Sequence, residues 1–397
     1  MRIGLTLLYK GMLLVERHYI QGNHEIVKLC KTSKELYNKC NYYMRKAWFG
    51  DVLLPDINTL VQLVRNEPSF KNLHNTKTAK QTVRKCLTDW TNFKKALKAW
   101  KKDKSKFLRM PKPPNYKEKM AQVIFYKETI KGGQGKKKQD TIAPTNGCFG
   151  IKSNRDYKQV VVTPKRFGFI VDVQYEQPVP NKTTAKGVAC VDIGLNNLCA
   201  ITSDQTTPIL VNGRIIKAIN QKFNKHRTKR ESRKRYFRIE NYFHHVSKWL
   251  ISWCQEHKIG TIIIGKNDGW KQRSRMRTKN NQNFQSVPFF KLIQKIEYKA
   301  MLAGIKVLFT EESYTSKASF LDRDAIPAYS KENNLEFSGS RVKRGLYRSS
   351  EGTLVNADCN GSANIGRKVI QNSEFLGRLD RSLAARPVRI NPLKVSA

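Results

Sequence analysis

Gly187-Val-Ala-Cys-Val-Asp-Ile-Gly-Leu-Asn-Asn-Leu198 is the stretch whose reading decides the fold. Its first five residues form an unbroken apolar run, the pattern of a strand covered on both faces. The run delivers one carboxylate, Asp192, and then turns at Gly194. A carboxylate at the end of a buried strand is costly unless it is hydrogen-bonded, paired or bound to a cation. Two further segments supply company. Residues 305–312 (Ile-Lys-Val-Leu-Phe-Thr-Glu-Glu) are a second apolar strand ending in Glu311 and Glu312, and residues 354–361 put Asp358 at the head of a helix. Acids in the order Asp, Glu, Asp on strand and helix ends suit a divalent metal site.

Outward from this stretch the pattern is α/β. After 187–192 come short apolar runs at 198–202 and 209–211, then a basic helix from about 218 to 257. A strand at 260–265, a helix near 288–303, the strand 305–310 and a helix from about 360 to 369 complete the series. A three-strand meander followed by helix, strand, helix, strand, helix is the layout of a ribonuclease H-like domain.

The N-terminal half differs. Residues 3–9 and 12–19 are strand-like, and 140–185 hold further short β-type runs; together they are expected to close a small β-barrel. Between them, 24–49 and 76–102 carry apolar residues at helical spacing, with Thr78 as the expected cap of the second. Residues 101–140 carry 13 basic and 4 acidic residues and a Pro-rich Met110-Pro-Lys-Pro-Pro, the composition of a linker.

Lys and Arg number 75 against 31 Asp and Glu, a formal net charge of +44, which calls for a polyanionic partner, nucleic acid. The eight cysteines occur singly without a Cys-x-x-Cys pair, against a zinc ribbon or a disulfide scaffold and in favour of a reducing compartment. No 18-residue apolar run exists and the first ten residues do not read as a signal peptide, so a cytoplasmic, nucleoid-associated protein without a membrane partner is expected. Residues 214–238 hold 11 basic residues and one acid. Within them Lys225, Arg227, Lys229, Arg230, Arg233, Lys234 and Arg235 are candidate contacts to a nucleic-acid backbone. Lys271 and Arg273, near Trp270, and Arg341, Lys343 and Arg344 are further candidates.

Two-metal nucleases hold their ions about 4 Å apart and need three or four converging carboxylates. In a ribonuclease H-like sheet the second acid stands at the end of the fourth strand, where this chain has Gly265. Four segments then carry a resemblance. They are Asp192-Ile-Gly-Leu-Asn-Asn-Leu198, Thr261-Ile-Ile-Ile-Gly-Lys-Asn-Asp-Gly-Trp-Lys-Gln272, Thr310-Glu-Glu-Ser-Tyr-Thr-Ser-Lys317 and Asn356-Ala-Asp-Cys-Asn-Gly-Ser-Ala-Asn364. In this order they resemble TnpB, the transposon-encoded family ancestral to type V CRISPR effectors, over essentially the whole chain.

The resemblance implies a multi-domain α+β protein: a barrel-like wedge domain (1–20 and 116–185), an inserted helical recognition domain (21–115) and a RuvC-type nuclease domain (186–397). It also implies a guide RNA from the transposon end (the omega RNA), double-stranded target DNA and two Mg²⁺ ions, with Mn²⁺ as the alternative. Asp192 and Asp358 match the first and third catalytic acids. One branch of the family, with its eukaryotic Fanzor relatives, carries the middle Glu some tens of residues downstream; Glu312 lies 47 positions after Gly265 (312 − 265). Neighbouring strands lie about 4.8 Å apart, so a Glu on the fifth strand reaches the same ions. Glu311 and Glu312 point to opposite faces and only one serves; Glu312 matches the relocated pattern and Glu311 is the substitute. The family's paired zinc cysteines are missing, with Ala318 where one often stands, so the insert near 318–350 is read as zinc-free. A guided DNA-binding protein without cleavage is the alternative reading. A cut-and-paste transposase orders its acids Asp, Asp, Glu, and a junction resolvase needs neither the helical insertion nor the charge.

Overall fold

The computed structural model describes residues 11–131, 141–144, 147–267, 278–330 and 335–394. Residues 3–9, Trp270, Lys271 and Arg273 therefore lie outside the described residues. The chain divides into two compact units, 1–178 and 179–397. The division falls seven residues before the expected boundary (185 − 178), because the approach to the next strand packs with the second unit: Thr183 N donates to Gly304 O at 3.0 Å.

In the first unit β1 (Met12–Ile20) is followed by α1 (His24–Phe49), α2 (Ile57–Val64), α3 (Pro68–Lys71) and α4 (Thr76–Lys102). The sequence then returns to strands: β2 (Val123–Tyr126), β3 (Ile130–Lys131), β4 (Thr141–Pro144), β5 (Ile151–Lys152), β6 (Tyr157–Lys165) and β7 (Gly168–Gln177). Among the described residues these give an open antiparallel sheet of order β1-β7-β6-β2 and a small sheet of order β3-β4-β5, rather than a closed barrel. The cap of α4 is Asn75, whose side chain accepts from Thr78 N, in place of the expected Thr78. Thr78 itself is buried inside the first turn.

The second unit is built on one six-stranded sheet. Its elements are β8 (Gly187–Asp192), β9 (Asn197–Ser203), β10 (Ile209–Asn212), α5 (Arg214–Lys225), α6 (Lys229–Glu256), β11 (Ile259–Gly265), α7 (Thr278–Ser286), α8 (Phe289–Leu302) and β12 (Lys306–Thr310). There follow β13 (Ser340–Lys343), β14 (Leu346–Arg348), β15 (Leu354–Asn356), α9 (Ala357–Arg367), α10 (Ser373–Ala384) and β16 (Val388–Ile390). Sheet order is β12-β11-β8-β9-β10-β16: an antiparallel meander through β8, β9 and β10, with β11 and β12 added in parallel on the other side of β8. The three β13–β15 strands form a separate antiparallel sheet.

Strand alternation assigns the faces. Ala189, Val191, Cys199, Ile201, Ile262 and Ile264 pack with residues of α6 and α8. Val188, Cys190, Ala200 and Ile263 pack on the opposite face with residues of α9 and α10. The expected single helix over 218–257 is two helices. Thr228 accepts from Glu231 N and starts α6 afresh, the Thr-x-x-Glu pattern of a capping box. Among the described residues no helix is long and apolar enough to cross a membrane.

Candidate active site

The parity that buries Val188 and Cys190 against α9 also puts Asp192 on the α9 side, at the C-terminal end of β8. Asp358 meets it from the opposite layer. Asn356 ends β15 and caps α9, its side chain accepting from Asp358 N and Cys359 N at 3.0 and 3.2 Å, which fixes Asp358 in the first turn. Asn197, in the first position of β9, donates from Nδ2 to Asp358 Oδ2 at 2.7 Å. Arg341 Nη2 lies 4.0 Å from the other carboxylate oxygen.

The third acid reaches the site from β12. Ile264 pairs with Val191 and Gly265 with Thr310, so Gly265 stands laterally beside Asp192. Two residues beyond Thr310, Glu312 keeps the parity of Leu308 and Thr310 and comes to the same face. A Cβ added at Gly265 would lie 2.6 Å from Glu312 Oε1 and 2.5 Å from Ile365 Cδ1. The Glu312 side chain thus fills the space that a side chain at 265 would take. Its backbone is held by Asn267, whose Oδ1 accepts from Glu312 N at 2.8 Å, and by Thr315, whose hydroxyl donates to Glu312 O at 2.8 Å. Glu311 turns elsewhere: its Oε2 takes the Lys368 ammonium at 3.0 Å.

The electrostatics are those of acids forced together. Burial, then the Asp358 charge, pushes Asp192 up to about 7 against the pull of Arg341. Burial, then Asp192 and Glu311, pushes Glu312 up to about 8 against the pull of Lys368. Glu312 Oε1 is buried without a hydrogen-bond partner. An orphaned carboxylate oxygen beside the Asp192 carboxylate is a hard, anionic donor pair of the kind a divalent cation takes. Asp192 links Glu312 to Asp358; among the described residues no three His, Cys, Asp or Glu side chains close on one point.

The expected backbone contacts divide by geometry. Lys225 at the end of α5, Arg227 in the connection, and Lys229, Arg230 and Arg233 on the first ten residues of α6, which contribute no buried side chain, are exposed. Lys234 pairs with Glu231 at 3.3 Å. Arg235 acts as a fastener: it donates to Asn220 Oδ1 at 2.6 Å and to Ser286 O at 2.7 Å, and lies over the Phe223 ring. Arg341, Lys343 and Arg344 are exposed on the β13–β14 hairpin. That hairpin is docked by Tyr347, whose hydroxyl donates to Lys317 O at 2.7 Å.

In the insert near 318–350, Asp324 accepts from Ser319 N at 2.7 Å and from the Ser338 hydroxyl, and Asp322 accepts from the Ser350 hydroxyl at 2.7 Å. All eight cysteines are buried thiols outside any disulfide. The Asn197 contact to Asp358 was missed by the sequence reading, although Asn197 lies inside the stretch that decided the fold; an Asn at the start of a strand carries no signal of its partner.

Comparison with known proteins gives one family match over part of this region and broader likenesses to a curated relative and to solved structures. The family described as Cas12f1-like, TNB domain, matches residues 289–365, a segment that contains Glu312 and Asp358. The CRISPR-associated endodeoxyribonuclease Cas12f2 of Micrarchaeota archaeon (strain CG1_02_47_40) is 25% identical over 301 residues, which is 68% of this chain and 50% of that protein. The chain thus spans about half the length of the curated relative it matches. Among solved structures, a Cas12f1–sgRNA–target DNA complex aligns over 90% of this chain and 100% of that one at 14% identity and a TM-score of 0.34. A CRISPR–Cas12f ternary complex aligns over 88% and 82% at 13% identity and a TM-score of 0.31. On the sequence matches, the chain is similar to Cas12f-like proteins, most specifically over residues 289–365.

Proposed function

We propose that this chain is an RNA-guided DNA endonuclease, similar to TnpB, that hydrolyses a phosphodiester bond at Asp192, Glu312 and Asp358. The observation that carries this reading is the Glu312 carboxylate turned back over Gly265, beside Asp192 and on the face that bears Asp358. An acid absent from its expected strand is supplied by the next one, in the space left by a missing side chain.

Mg²⁺ or Mn²⁺ held by these carboxylates would supply Lewis-acid activation of water and neutralise charge on the departing oxygen. The chain's own residues do the rest. Asn197 and Asn356 fix Asp358, Asn267 and Thr315 fix the bend that carries Glu312, and Arg341 tempers the negative field. Sequence specificity is delegated to pairing with a guide RNA of transposon origin, while basic helices hold the duplex by its backbone. The kinship with an endodeoxyribonuclease supports the reaction class.

A second reading, a guided DNA-binding protein that does not cut, draws on the fact that no three ligating side chains among the described residues close on one point. One experiment separates the two. Glu312→Gln keeps size and hydrogen bonding and removes one metal-binding charge. Guide-loaded wild type with Mg²⁺ is expected to cut a matched target, and the variant to bind it normally while cutting about a thousandfold more slowly. Equal cutting by the variant would sink the assignment of Glu312. Tight binding without cutting by wild type would establish the guided binder.

A further inference from the structure

A cleft of about 430 Å³ is lined by Asn196, Arg214, Lys217, Ala218, Gln221 and Arg344, of which Asn196 is the chain neighbour of the Asn197 that holds Asp358. We propose that it is a phosphodiester subsite for the strand being cut, engaging one linkage next to the scissile one; the proposal rests on the nuclease reading above.

Three cations from two separate elements converge on the cleft, and no carboxylate lines it. Arg214 and Lys217 come from the first turn of α5, three residues apart and so on one helical face. Arg344 arrives from the β13–β14 hairpin. Among the described residues no acid is paired with any of the three. Arg344 is nonetheless oriented: with the Asn196 amide assigned so that its oxygen faces the guanidinium, the orientation that satisfies both groups, it accepts from Nη2 and, at 3.2 Å, from Nε. A guanidinium has five donor hydrogens in a planar fork. With two directed at Asn196, the others are free to take a phosphate, and the ordering cost of the side chain is already met.

The cleft is tied to the reacting groups through adjacent residues. Asn196 orients Arg344 while its neighbour Asn197 holds Asp358. On the hairpin, Arg341 approaches Asp358 and Arg344, three residues on, enters the cleft. The turn carrying both asparagines is wedged against the start of α5: Gly213 N donates to Asn196 O at 2.8 Å, and a Cβ at Gly213 would lie 2.3 Å from Leu195 O. A side chain at 213 would open this wedge. The volume lies within the ~300–1,000 Å³ of small-ligand pockets, enough for a nucleotide unit of a single strand and too little for a duplex.

The arrangement answers an electrostatic need. Three acids repel the polyanion they are to cut, and fixed cations one linkage away hold it in register. This goes beyond the exposed basic face of α6, since it names residues of α5 and the hairpin that line one cleft.

The test uses the guide-loaded full chain with Mg²⁺ and matched targets whose cut strand carries a single neutral methylphosphonate, walked linkage by linkage. For wild type, one linkage within two of the cut should slow cleavage about ten- to a hundredfold when neutral, the loss of charge-assisted hydrogen bonds. The Lys217→Gln/Arg344→Gln double variant should be slowed to a similar degree on the all-phosphate target and be indifferent to that neutral linkage. A double variant as sensitive to the linkage as wild type, or as fast on the all-phosphate target, overturns the subsite. If wild type does not cut at all, the nuclease reading has failed and a second measurement decides the cleft. Affinity for a short single-stranded DNA oligonucleotide in EDTA should then fall for the double variant, with a salt slope shallower by about 1.4, the value for two lost contacts on a single strand. Equal affinity and slope would overturn the subsite independently.

Discussion

Gly265 and Glu312 form one device, and each explains the other. A Cβ at 265 would lie 2.5 Å from Ile365 Cδ1 and 2.6 Å from Glu312 Oε1, closer than real Cβ contacts come. Gly265→Ala is therefore expected to cost about 1–3 kcal/mol of stability by overpacking and, by displacing Glu312, to slow cleavage at unchanged target binding. Unaltered melting and cutting in that variant would show that Glu312 swings clear at no cost. The same crowding sets a pH dependence. Asp192 and Glu312 have folded-state values near 7 and 8, above their ordinary carboxylate range. The folded state binds more protons than the unfolded state between pH ~4 and those values, so stability without metal falls as pH rises through this window. In EDTA, wild type should lose a few kcal/mol between pH 5 and 8.5, and Asp192→Asn/Glu312→Gln should lose much less. A variant with the wild-type pH slope would mean that these two acids are not the strained pair.

At the scale of elements, legibility followed the range of the interaction. The apolar strands β8, β11 and β12 were readable because burial on both faces leaves a continuous apolar run, and parity along them already implied which face Asp192 takes. What needed a partner far along the chain was not readable. The Asn197–Asp358 bond spans 161 positions, and the Glu311–Lys368 pair spans 57. The α5–α6 break was readable and missed: basic residues with good helix propensity run across it, and they outweighed the Thr228-Lys-Arg-Glu231 cap. Arg235 shows a related limit, because a charge run does not reveal which member turns inward to bridge Asn220 and Ser286. Thr228→Ala should cost about 1 kcal/mol and Arg235→Ala more, since it leaves the Ser286 carbonyl and the buried Asn220 amide without that partner. Melting should show both losses. Arg230→Ala, on the exposed start of α6, should leave stability within about 0.5 kcal/mol and weaken nucleic-acid affinity instead. The reverse pattern would make Arg230 structural and Arg235 the contact.

For the whole molecule the governing quantity is the net charge of +44. Self-repulsion of that size opposes the compact state, and a bound polyanion relieves it. A generic basic protein and a guide-dependent one both gain stability from nucleic acid, so stabilisation alone does not separate them. The discriminating quantity is the difference between RNAs of equal length and charge. Counterion release treats all RNAs of one length alike, and only a folded guide adds shape-specific contacts. Protein purified at low salt should carry an RNA of defined sequence, and stripping it with high salt should lower the melting temperature. Returning that RNA at about a hundred times its Kd should restore about 2.7 kcal/mol, a shift of roughly 5–10 °C for a unit of this size. A scrambled RNA of equal length should restore less, and the gap should widen as salt rises, because screening removes the shared electrostatic part first. If the scrambled RNA stabilises as well as the co-purified one at every salt concentration, guiding is lost as an explanation of the charge. The carboxylates would then have to be explained without a guide, in an enzyme that takes any strand reaching its cleft.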